Sequence, residues 1–212
     1  ANQVSGDALS ISGRGTYASA NAGTNLGYTL SGLALSGADA ANYFLSANSF
    51  TVAPGASGVS ITPKQLTVSG SSAADKTYDA NLTAVVTAGT LSGFVGTETV
   101  TISSVSGQFA SADVARTGDA ITGTVVDQDV TATYTLADGS GGGLASNYTV
   151  LDQTLQAAIN PKTLTLTGVT VNSRAYDGTT AVDASQISST NVGLDGVINS
   201  DAVNVNTGTI SG

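Results

Sequence analysis

Apolar positions alternate with polar ones along most of the chain. Thr163-Leu164-Thr165-Leu166-Thr167 places leucine at every second position, the period that turns one face of a strand inward. Thr131-Ala132-Thr133-Tyr134-Thr135-Leu136 does the same, and Val100, Ile102 and Val105 keep the habit with a break after Ser103 that reads as a bulge. Threonine and valine are β-branched and suit a pleated, half-buried surface. Apolar spacing of three and four is absent from any window long enough for a helix, and only Ala38–Asn42 reads as a short helical turn. Many short strands with Gly- and Asp-rich turns predict an all-β protein. The expectation is antiparallel, Ig-like sandwiches, with a β-grasp-like unit as the alternative if a helix packs on one sheet.

The pattern repeats. Ile61-Thr62-Pro63-Lys64-Gln65-Leu66 returns as Ile159-Asn160-Pro161-Lys162-Thr163-Leu164, and Tyr78-Asp79 returns as Tyr176-Asp177-Gly178. Both landmarks are 98 residues apart, so one register runs through both. A period near one hundred is that of a small domain. The expected organisation is the C-terminal part of a first repeat at 1–62, a complete repeat at 63–160 and the N-terminal part of a third at 161–212. The chain begins and ends mid-pattern, which reads as a piece of a longer protein. Further matches pair Gly15–Ala22 with Gly107–Val114, Tyr28 with Tyr134, Asn42-Tyr43 with Asn147-Tyr148, and Leu194–Val203 with Leu91–Val100. With Tyr28 set against Tyr134, the second repeat carries 14 extra residues, which predicts an added hairpin around Ala120–Asp129. A surplus in the first repeat falls on Pro54–Gly58, a loop by its punctuation. Pro63 and Pro161 sit where one repeat meets the next. Proline ends a ladder and fixes φ, so the joints should be short and stiff.

Composition narrows the chemistry. The chain has no Cys, Met, His or Trp, which removes disulfides, thiol nucleophiles and imidazole bases and makes an enzyme improbable. Net charge is −9, from 15 acidic and 6 basic residues, which argues against nucleic acid as a partner. No run approaches the roughly 18 apolar residues of a membrane span, so no membrane insertion is expected. The N-terminus carries neither the basic nor the apolar region of a signal peptide.

The sharpest local motif is Tyr78-Asp79 and Tyr176-Asp177. Asp-Gly suggests a hairpin turn needing positive φ, but Ala80 stands where the other copy has Gly178, so the turn should not depend on glycine. The expected form is an Asx-type turn, its carboxylate accepting backbone N–H groups while the tyrosine ring anchors it to the core. The recurrent aromatics Tyr17/Phe109, Tyr28/Tyr134 and Tyr43/Tyr148 are likewise read as core anchors rather than a sugar-stacking platform. Asn42 and Asn147 are read as turn residues bonding local backbone. Asp127 and Asp129 would share one face of a strand and are weak calcium candidates; no other cofactor is expected. A Lys–Asn isopeptide link is disfavoured, since Lys76 becomes Arg174 in the next copy.

The Lys76/Arg174-x-Tyr-Asp motif, the I-x-P-K start at Pro63 and Pro161 and the Asn-Tyr endings at Asn42-Tyr43 and Asn147-Tyr148 together resemble the YDG-type repeat of large bacterial surface proteins. The resemblance is to stalk repeats of filamentous-haemagglutinin-like and biofilm-matrix adhesins exported by two-partner secretion. It covers essentially the whole chain, with Ala80 departing from the family's glycine. It implies an extracellular repeat on a bacterial surface or in a biofilm matrix, without catalytic residues. The expected partners are neighbouring repeats of the same chain. The competing expectations are a module that grips matrix polysaccharide or host glycans through residues 53–58 and 113–129, and self-association through sheet edges.

Overall fold

The computed structural model describes residues 4–55, 58–188, 190–198 and 201–205. Ala56 and Ser57 of the expected loop, and Asn199 and Ser200 of the third repeat, lie outside the described residues. The protein is all-β, with several antiparallel sheets. Its helical elements among the described residues are 3-10 turns of three residues, at Ala40–Asn42, Ala145–Asn147 and Ala184–Gln186. The helix that a β-grasp unit needs is therefore missing from them, and no helix there is long and apolar enough to cross a membrane.

Two short ladders depart from the antiparallel expectation. Tyr148–Val150 pairs in parallel with Lys64–Leu66, and Ile159–Asn160 pairs in parallel with Lys76–Thr77. In both, the closing residues of the complete repeat lie beside its opening residues, which a hairpin-only sandwich cannot achieve.

The chain divides into two compact units. One comprises Ala1–Gly70, Ala88–Val105 and Tyr134–Leu151; the other comprises Ser71–Thr87, Ser106–Thr133 and Asp152–Gly212. These units and the sequence repeats are different partitions, since residues 63–160 contribute to both.

In the first unit Leu66, Val100 and Tyr148 form the core, with Leu91, Phe94, Leu136 and Val150 packed on it. Phe94 meets the Tyr148 ring edge-on, with centroids 6.0 Å apart. A separate antiparallel sheet runs Ser10–Tyr17, Tyr28–Ser36, Phe50–Val52.

In the second unit the core is Ala84, Phe109, Val130, Ala157 and Ile159, with Tyr78, Val86 and Leu155 against it. Val130 and Ile159 are wholly buried. The small residues have a packing reason. A Cβ on Gly107 would lie 2.5 Å from Val86 Cγ2 and 2.9 Å from the Ala84 carbonyl, so the strand pair Thr83–Ala84/Gly107–Gln108 closes only over glycine. Val100–Phe109 is buried at Val100, then at Gly107 and Phe109. That change of parity is the one the sequence break after Ser103 implies.

The third repeat reproduces the frame of the second. Thr165–Thr167 pairs with Gly193–Asp195 as Thr67–Ser69 pairs with Thr90–Ser92, and Thr170–Val171 pairs with Ile187–Ser188 as Ser72–Ala73 pairs with Val86–Thr87.

Two expectations are corrected. Tyr28 is not the counterpart of Tyr134. The Ala18 N–H donates to the Gly27 carbonyl and the Ala110 N–H to the Asp129 carbonyl, so Tyr28 corresponds to Val130 and the insertion is 10 residues rather than 14. Backbone pairing, not matching letters, sets the register. The insertion does form a hairpin, Arg116–Thr117 against Thr124–Val125, whose tip is tied by Asp119 accepting the Ile121 and Thr122 N–H groups at 2.8 Å each. Tyr176 is not a core anchor, being 98 % exposed. Its counterpart Tyr78 is partly buried against the second-unit core.

Burial ranks the joints. Ile159→Ala is expected to cost about 3 kcal/mol in urea unfolding, because it opens a cavity in a closed core. Its counterpart Ile61 is only half-buried, so Ile61→Ala should cost less than half as much.

Candidate functional site

The recurrent polar residues are fasteners. Asp79 Oδ1 accepts the Asn81 N–H at 3.1 Å, and Asp177 Oδ1 accepts the Thr179 N–H at 2.9 Å, the expected Asx turns. Each turn is then locked by a cation. Lys76 Nζ reaches Asp79 at 2.7 Å and the Asn81 carbonyl at 2.5 Å. Arg174 reaches Asp177 at 2.6 Å and the Thr179 carbonyl at 2.5 Å. An exposed ion pair of this kind is worth at most about 1 kcal/mol, so its use is to fix geometry. Lys76 also stands 5.3 Å above the Phe109 ring, which ties its turn to the core. The hydrogen bond from Lys76 is also the main reason the Asp79 carboxyl sits below its ordinary range.

The turn does not depend on glycine, but it does take positive φ. Ala80 has φ +60° and Gly178 has φ +77°. The turn imposes the left-handed conformation on both copies, and Ala80 adopts it with a Cβ penalty because the cation and carboxylate hold the residues on either side.

The second fastener is a tyrosine set on an acid. Tyr148 is 5 % exposed. Its hydroxyl donates to Glu98 at 2.6 Å and accepts the Val95 N–H at 3.1 Å. Tyr43 does the same, donating to Asp7 and accepting the Val4 N–H at 3.1 Å. The two receiving turns match, with Glu98 N–H donating to Val95 O and Asp7 N–H to Val4 O. The sequence reading named both tyrosines but neither acid. The available signal was an acid three residues after an aliphatic one, in Val4–Asp7, Val95–Glu98 and Ile198–Asp201.

The third fastener is Asn147. It does not bond local backbone as expected. Its Oδ1 accepts the Ala22 N–H at 2.8 Å and its amide donates to Asn21 Oδ1 at 3.0 Å, joining the second repeat to the first. Pro63 follows the Gly23–Ile61 bridge, and Pro161 follows the strand Ile159–Asn160, so each stands at a repeat boundary.

The calcium candidates are not held together by one strand. The strand begins at Gln128, leaving Asp127 outside it, and Asp129 Oδ1 accepts the Gln156 amide at 2.6 Å. Among the described residues no group of three or more acidic side chains could hold a metal ion.

Two outcomes follow from these geometries. Ala80→Gly should raise stability by about 0.5–1 kcal/mol in urea unfolding, by relieving the left-handed alanine. The Glu98 carboxylate, by accepting the Tyr148 hydroxyl, holds that phenol above its ordinary value of 10.0. The folded phenol keeps its proton more tightly than the unfolded one, so its stabilisation is complete below about pH 10 and is lost as pH rises through the folded value. Phenolate absorbance should therefore show Tyr148 titrating late, and Glu98→Gln should bring it earlier and flatten the alkaline fall in stability.

No curated protein and no solved structure matches the chain. The YDG domain family matches residues 1–50, 62–157 and 160–212. The Tyr-Asp turns at 78–79 and 176–177 each fall inside one of these segments, and the Asn-Tyr endings at 42–43 and 147–148 fall near the ends of the first two. The chain belongs to the YDG domain family.

Proposed function

We propose that the chain is a stalk segment of a secreted bacterial adhesin, in which tandem repeats hold a distal adhesive region away from a Gram-negative cell. The function is mechanical and non-catalytic, and its setting is the cell surface or biofilm matrix, reached by two-partner secretion. One observation carries the reading: recurrent polar side chains of the complete repeat bond to their own repeat or to the adjoining one. Lys76, Asp79, Glu98, Asn147 and Tyr148 are all engaged this way. A binding module would instead spend recurrent side chains on an open site. Short proline-bearing joints and an asparagine tie between repeats suit a chain that transmits force.

The purified chain is expected to show no binding to whole cells, matrix polysaccharides or a glycan panel above that of an unrelated β-sandwich. Saturable binding to one glycan class, abolished by substitutions in the hairpin at 116–125, would replace the stalk with the carbohydrate-binding reading.

A further inference from the structure

The complete repeat carries two Asn-x-Thr triplets, Asn81-Leu82-Thr83 and Asn147-Tyr148-Thr149. Such a triplet accepts N-linked sugar where its amide nitrogen and its hydroxyl are both open to an enzyme. The structure separates the two. Asn147 uses both ends of its carboxamide on the first repeat, Oδ1 on the Ala22 N–H and the amide on Asn21. Tyr148 beside it is buried, and Thr149 pairs with Gln65 in a parallel ladder.

Asn81, Leu82 and Thr83 are all exposed. The Asn81 carboxamide is engaged at its oxygen alone. Oδ1 accepts the Thr83 N–H at 3.0 Å and the Lys76 ammonium at 3.1 Å, which leaves the Nδ2 protons to solvent. This arrangement also favours reaction at nitrogen. A carboxamide nitrogen is a poor nucleophile because its lone pair is delocalised onto oxygen. Two donors on that oxygen, one a full cation, stabilise negative charge there and make the Nδ2 protons easier to remove.

The neighbouring surface points the same way. Leu82 is 43 % exposed and Val85 is 72 % exposed. The third repeat builds the same turn with Arg174 and Asp177, but Thr179 stands at the position of Asn81 and no triplet follows. There Thr180 replaces Leu82. Gln186 replaces Val85, since the Asn172 N–H donates to the Gln186 carbonyl as the Ala74 N–H donates to the Val85 carbonyl. The exposed apolar side chains therefore accompany the triplet and disappear with it. A pyranose has an apolar C–H face to lay on them and hydroxyls to turn to water.

We infer that Asn81 is an N-glycosylation site, taking its sugar from a donor with a diphosphate leaving group. In the transfer Nδ2 bonds to the anomeric carbon and the bond from that carbon to the diphosphate oxygen breaks. The diphosphate departs with the electron pair, and the Nδ2 proton passes to a base of the transferase. Oδ1 keeps both of its bonds, so the turn is unchanged. The site does not depend on the stalk reading.

Mass spectrometry of the chain isolated from the cells that produce it tests this. Peptide mapping should place a glycan on Asn81 and leave Asn147 bare. A single hexose marks a nucleotide-linked donor and a preassembled oligosaccharide a lipid-linked one; either supports the site. Asn81→Gln and Thr83→Ala, made in the same cells, should each abolish the added mass. Thr83→Ala retains the backbone N–H on Oδ1, so its loss of glycan reports the hydroxyl and not the turn. An unmodified Asn81, sugar on Asn147 in its place, or a loss of ammonia marking a Lys76–Asn81 cross-link overturns the inference.

Discussion

The closure of the complete repeat depends on one buried tyrosine. Tyr148 brings the end of the repeat beside its beginning, because its ring needs Leu66 and Val100 while its hydroxyl needs Glu98 and Val95. The parallel ladder Tyr148–Val150/Lys64–Leu66 follows from that placement. Asn147, one residue earlier, is carried to Asn21 and Ala22 by the same anchoring. A phenol suits this role since it buries a large apolar ring while its polar tip is satisfied at the turn.

Small side chains shape the rest. The second-unit core is built from Ala84, Val130, Ala157 and Ile159 around a single aromatic, Phe109. Strands approach closely enough that Gly107 admits no Cβ. With so little volume to bury, order at the turns comes from carboxylates, and Asp79, Asp119 and Asp177 each accept backbone N–H groups two or three residues on. Part of the acidic excess is thus spent on loop geometry rather than on a ligand.

Local and periodic features were legible in the sequence. The 98-residue register, the Asx turns, the hairpin in the insertion and the strand parity of Val100–Phe109 all depend on neighbours or on repetition. Long-range partners were not. Glu98 lies 50 residues from Tyr148, and Asn21 lies 126 from Asn147; the recurrent aliphatic–acid spacing marks the acid but not its partner. Tyr28 misled because two tyrosines were matched where hydrogen bonding matches Tyr28 to Val130. Ala80 showed that the turn does not need glycine, but not that it takes positive φ, because propensity favours ordinary φ and a turn clamped by Lys76 and Asp79 overrides it. Tyr176 shows that a motif fixes its turn but not its burial, since Asp177 makes its bonds with the ring in solvent.

The parallel closure has a consequence for the order in which a repeat can form. Residues 64–66 wait for 148–150, and 76–77 wait for 159–160. A chain emerging from its N-terminus cannot complete either ladder until nearly the whole repeat has appeared. Such non-local pairing slows folding, because loop closure must precede the contacts that reward it. The complete repeat therefore stays open until residues 148–160 are present, and it closes in one late step rather than strand by strand.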